Sequence, residues 1–119
     1  MTLESKLTAI LKQSCPRTFA GFAPNGTARP YVTFQQIGGR VIPVLGREVP
    51  AKENAEMQIN VWADTNPQAK ALIKEIEANL ILSTDMQAKP LGAPASDFEA
   101  DIPIYCSRQD FTIWCDRST

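Results

Sequence analysis

The sequence predicts an α+β fold: a mostly antiparallel sheet with two helices packed on one face. Three observations lead there. Two stretches carry apolar residues at helical spacing, several carry them at every second position, and strand-like stretches follow one another with no helix between them, which favours antiparallel pairing. A chain of 119 residues fits a single domain over 1–119.

The first helix is predicted over residues 2–14. Leu3, Leu7, Ile10 and Leu11 fall on one stripe, Thr2 can cap the start, and Glu4 suits the first turn. Cys15-Pro16 ends it, because a residue before proline is pushed out of the helical region. "RTFAGF" reads as a short strand and "APNGTARP" as a turn. Residues 31–37, "YVTFQQI", alternate as a strand, with Val32 and Phe34 on the core side. Pro30 suits the position before it, since proline fixes its own φ and donates no N–H.

Residues 38–54 then hold Gly38-Gly39, Pro43, Gly46 and Pro50 among several charges. That is long for a hairpin connection, and loops of this length on rigid folds commonly contact partners. "AEMQINVWA", 55–63, is the next strand, with Met57, Ile59 and Val61 alternating. Residues 64–82 make the second helix: Thr65 with Gln68 fits a capping box, Asn66-Pro67 offers another start, and Ala69, Leu72, Ile73, Ile76 and Leu80 form the buried stripe. Pro90, Gly92 and Pro94 break residues 83–101 into two short strands or one broken edge. In the final strand-like stretch Ile102, Ile104 and Cys106 have one parity, and Phe111, Ile113 and Cys115 the other. A bulge or bend over 107–110 would let both sets face one core.

Composition narrows the function. A net charge of −1 gives no overall basic field for nucleic acid, and the scattered cations Lys6, Lys12, Arg17, Arg29, Arg40 and Arg47 lack interleaved exposed aromatics. No apolar run approaches the ~20 residues that cross a bilayer. The spaced apolar residues of the first segment do not make a signal peptide, so a cytoplasmic setting is expected. Without histidine, a histidine-based triad or general base is impossible within one chain, as are the common histidine zinc sites. Cys15, Cys106 and Cys115 form no CxxC and read as reduced, mostly buried thiols; Cys15 near Arg17 is a candidate nucleophile and Cys106 is likewise near Arg108 but in an apolar strand pattern, and an inert thiol fits both better. Asp97, Glu99 and Asp101 alternate in an extended segment, which could make a hard-metal site but fits a solvated acidic edge better. "GRVIPVLGR" is no phosphate loop, lacking GK[ST] and a following helix. Trp62 and Trp114 read as packing residues, with an interface role as the alternative.

The order "GTARPYVTFQQIGG", "QINVWA", "TNPQAKALIKEIEANL" and "RQDFTIW" resembles the tail terminator or tail completion proteins of long-tailed bacteriophages and prophages (minor tail protein U-like, or head–tail joining proteins), over roughly residues 3 to 114. The resemblance implies a non-enzymatic virion protein with no cofactor. It is expected to assemble in the bacterial cytoplasm into a ring, a hexamer, that caps the tail tube, ends its polymerisation and joins tail to head. Its partners would be copies of itself, the tail-tube protein and a head-completion or connector protein. DNA would pass through the lumen without specific binding, no membrane is involved, and the free protein can stay monomeric. On that basis Arg40, Arg47 and Glu48 are expected as polar contacts, and Val44 and Leu45 as apolar anchors, to a neighbouring subunit or the tube. Asp97, Glu99 and Asp101 would face the lumen. The alternatives are a prophage-encoded ligand- or metal-binding module, or an enzyme using Cys15 or the acidic cluster.

Overall fold

The computed structural model describes residues 2–117. Its elements run α1 (Leu3–Ser14), β1 (Thr18–Ala20), β2 (Tyr31–Gly38), β3 (Lys52–Ala63), α2 (Asn66–Ile81), β4 (Gln87–Pro90), β5 (Ala95–Glu99) and β6 (Ile104–Asp116). The sheet order is β1-β2-β3-β6-β4, with β5 also paired to β6. All pairs are antiparallel except β1 with β2. This is the α+β architecture with a mostly antiparallel sheet that the sequence predicts.

Both helices start on their predicted caps. The Thr2 hydroxyl accepts the Ser5 N–H, and the Thr65 hydroxyl accepts the Gln68 N–H. Gln68 returns the favour one residue early, its side-chain oxygen accepting the Asp64 N–H at 3.3 Å, so Asn66-Pro67 enters the first turn instead of forming the cap. Leu3, Leu7, Ile10 and Leu11 of α1 and Ala69, Ile73, Ile76 and Leu80 of α2 are buried in one cluster with Val32, Phe34, Met57, Ile59, Val61, Phe111 and Ile113. Both helices therefore cover one face of the sheet. Each fully buried Leu or Ile there stabilises the fold by about 1.5–3 kcal/mol.

The register explains the other face. Val32, Phe34, Val61, Ile59 and Met57 point to the helices, while Tyr31, Trp62, Asn60, Gln35 and Gln58 alternate to the side that no helix covers. An antiparallel sheet tolerates one such polar, wet face.

Three features differ from the sequence expectation. First, β1 runs parallel to β2, because residues 21–30 carry the chain back to the end where β1 began; Arg29, in a cis Arg29–Pro30 unit, ties that loop down by donating to Pro103 O at 2.7 Å and Asp64 Oδ1 at 3.1 Å. Second, no bulge interrupts β6 over 107–110: its pairing with β3 is continuous from Lys52↔Asp116 to Ala63↔Tyr105. Ile104 and Cys106 are buried on the uncovered face, where Cys106 lies opposite Trp62, and Phe111, Ile113 and Cys115 are buried under the helices. The parity changes because the strand is buried on both faces, not because it bends. Third, β3 begins at Lys52, before the expected Ala55, so the preceding loop covers 39–51. The irregular stretch does resolve into two short strands, β4 and β5, on the same edge of β6, opposite residues 111–114 and 104–108. Pro90 and Pro94 cannot donate to a ladder, and at the break the Gln109 amide, on the helix side, donates to Gly92 O at 2.8 Å and to Glu77 of α2.

Candidate assembly interface

The molecule measures 53 × 26 × 25 Å, and the long ribbon of β3 and β6 has a different surface at each end. At one end stands the 39–51 arm. Its launch is built by a bulge: β2 pairs Gln36 with Met57 and Gly38 with Glu56, leaving Ile37 without a partner. A bulge bends its strand and raises the local twist, so the chain crosses the backbone of β3. The crossing is close enough that a Cβ on Gly39 would lie 2.6 Å from Asn54 O, which no side chain tolerates. The buried Asn54 then pins the arm's first leg. Its Oδ1 accepts the Arg40 N–H at 2.9 Å, and its Nδ2 donates to Thr112 Oγ1 and Ile113 O at 2.9 and 3.0 Å. The second leg is held where Arg117 N–H donates to Ala51 O at 2.8 Å.

Between these legs the arm reaches into solvent. Arg40, Val44, Leu45, Arg47 and Glu48 are all exposed, Leu45 at 97%. Arg40, Val44 and Glu48 share a depression of about 400 Å³ at the arm's base with Lys52 and Asn54. Leu45 and Arg47 lie outside it, flanking Gly46, whose φ of +94° makes the tip turn. Two apolar residues that the sequence reading did not single out are exposed on the arm as well: Val41, 91% exposed and among the residues lining the depression, and Val49, 71% exposed and outside it. Their positions in the same Pro/Gly-bounded loop were the available signal.

At the other end the acidic residues do not act as one group. Asp97 and Glu99 share a face of β5 by alternation, but Asp101 lies in the turn beyond it. Asp97 is paired to Arg108 Nη2 at 2.8 Å on the uncovered side of the sheet. Among the described residues no three His, Cys, Asp or Glu side chains gather so as to hold a metal. Glu99 instead borders a hollow of about 360 Å³ between the 21–30 loop and the turn after β5. Tyr31 and Trp62, stacked with ring centres 6.2 Å apart, line it along with Ile102 and Ile104. Trp62 is held by donating Nε1–H to Thr33 Oγ1 at 3.1 Å. The equal parity of Tyr31 and Trp62 on paired strands was the only sequence trace of this site.

The thiols are all buried and free. Burial pushes Cys106 up to about 11, against a smaller lowering by Arg108. Burial, then the Glu53 carboxylate, raises Cys115 too. Neither is a thiolate near neutrality. Cys15 has its Sγ 3.5 Å from Pro30 O and 3.7 Å from Arg17 O, so its thiol donates to the backbone. The Arg17 side chain itself turns away to donate Nε–H to Pro30 O at 3.0 Å.

The class these features define is a small α+β domain with an exposed arm at one end and a hollow at the other. Residues 3–113 match the family model described as tail completion protein gp17, and the chain belongs to that family. No protein of curated function matches the chain. The family assignment agrees with the resemblance seen in the sequence. It makes this protein a structural component of a bacteriophage tail, whose place is the virion tail and whose partners lie within tail assembly. Among the described residues no helix is long and apolar enough to cross a membrane.

Proposed function

We propose that the protein assembles as a hexameric ring on the end of the tail tube, stops tube polymerisation there, and offers the surface to which the head, through its completion or connector protein, is joined. Assembly takes place in the cytoplasm of the bacterium carrying the phage or prophage, and DNA passes through the ring without sequence-specific contacts. The observation that carries this reading is the arm. Its legs are pinned to β3 and β6, yet Val41, Leu45 and Val49 stand in water. Apolar side chains held at a fixed place in solvent are covered once a partner arrives. Arg40, Val44, Leu45, Arg47 and Glu48 are then contacts to the neighbouring subunit or to the tube.

The test replaces residues 41–49 by a two-glycine link and mixes the variant with polymerised tail-tube protein of the same phage. The expected result is an intact fold by circular dichroism and tubes without caps in negative-stain images, where the unaltered protein gives capped tubes of uniform length. Capping by the shortened protein would overturn the role of the arm.

A further inference from the structure

The arm and the hollow are complementary, and they lie at opposite ends of one chain. The arm tip offers Leu45, followed within two residues by Arg47; residues 40–48 hold two arginines against one glutamate. The hollow is lined by Tyr31, Trp62, Ile102 and Ile104 beside polar loop residues; of its two charged residues, Arg29 is already paired to Asp64, which leaves Glu99. Ile102 is 60% exposed, so the lining is open to an incoming side chain. Charge matches as well. Among the described residues the ion pairs are Arg29–Asp64, Lys52–Asp116 and Arg108–Asp97, which leaves Arg40, Arg47, Glu99 and Asp101 without a partner.

We infer that Leu45 of one copy enters the Tyr31–Trp62 hollow of a second copy, with Arg47 pairing to Glu99 and Asp101 at its edge. The inference deepens the ring reading above and rests on it. The 12 residues of β3 separate the two surfaces by about 36 Å at roughly 3.3 Å per residue, so no chain can fill its own hollow. Two different surfaces meeting head to tail pass the contact from copy to copy, and such a contact closes as a ring when the rotation per copy allows. Burial of Leu45 against aromatic rings supplies the attraction. The charge pair sets register and suppresses wrong docking, which is what charges across an interface do best.

The experiment pairs Leu45→Cys with Ile102→Cys in one chain and oxidises it, in concentrated solution and on tail tubes, with each single variant as control. The native thiols are buried and stay out of the reaction. A ladder of disulfide-linked oligomers that needs both new cysteines is expected. A ladder without capped tubes would keep this contact and overturn the capping function. Capped tubes without a ladder would overturn the contact and leave the function standing, and neither result would overturn both. Arg47→Glu and Glu99→Arg should each cut ring yield by about tenfold, and their combination should restore it. Glu99→Arg that assembles normally but retains DNA would assign the acidic turn to the lumen and overturn the pairing.

Discussion

Phe111 and Leu45 are both large and apolar, and the structure uses them in opposite ways. Phe111, on the helix-covered face of β6, is fully buried between strands and helices, whereas Leu45, at the arm tip, is 97% exposed. The covered face holds the fold together and has no surface left to offer. The arm adds little to the fold and offers nearly everything it has. Asn54 stands at the junction: one buried side chain belongs to the sheet through Thr112 and Ile113, and to the arm through Arg40. On the ring reading proposed above, stability and assembly are separable in this chain, and substitutions should show a gradient from one region to the other.

The steepest end of that gradient is Phe111→Ala, expected to cost about 3–5 kcal/mol in urea unfolding, because the surrounding sheet and helices cannot collapse into the space. A loss near zero would break the comparison. Asn54→Ala should cost about 1–3 kcal/mol, since the Arg40 N–H loses its acceptor and Ile113 O and Thr112 Oγ1 lose a donor. It should also raise hydrogen exchange at Arg40 more than at the middle of β3, which a purely structural role in the sheet would not do. Alkaline pH probes the uncovered face through Cys106. Its folded value of about 11 lies above the ordinary 9.0, so the folded chain holds its proton longer than the unfolded one. The stabilisation is complete below about 9 and is lost as the pH rises towards 11; Cys106→Ala should flatten that decline in a pH series of melts. Asp97→Ala removes an exposed pair with Arg108 and should cost about 0.2–1 kcal/mol, less in high salt. The smallest effect belongs to Leu45→Ala, within about 0.5 kcal/mol of the unaltered protein, although the same change should weaken ring assembly. A larger loss of stability would show that the arm tip packs on its own chain.

Much of this fold was legible in the sequence because many of its elements are bounded by local chemistry. Thr2 and Thr65 cap helices whose stripes repeat every third or fourth residue, Pro90 and Pro94 break an edge strand, and Val32 and Phe34 choose the core side of β2. The arm was legible in the same way, as a stretch where two prolines and Gly46 forbid a regular strand. The hollow was not, because its residues come from positions as far apart as Tyr31 and Ile104 and meet only through strand pairing. The parity of β6 misled for a related reason: alternation reports burial on one face, and the first half of β6 has buried residues on both. The pairing of Asp97 with Arg108 likewise depends on two strands lying side by side.

The sequence by itself determined the fold class, the faces of both helices, the exposed arm and, through the order of its motifs, the tail completion family. Each of these rests on neighbours along the chain, where spacing and backbone preference act directly. Only the tertiary structure decided that β1 runs parallel, that Asn54 pins the arm, and that an aromatic hollow opens at the far end of the ribbon. Those depend on which strands lie side by side and in what register, a choice made by the packing of the whole sheet against its two helices.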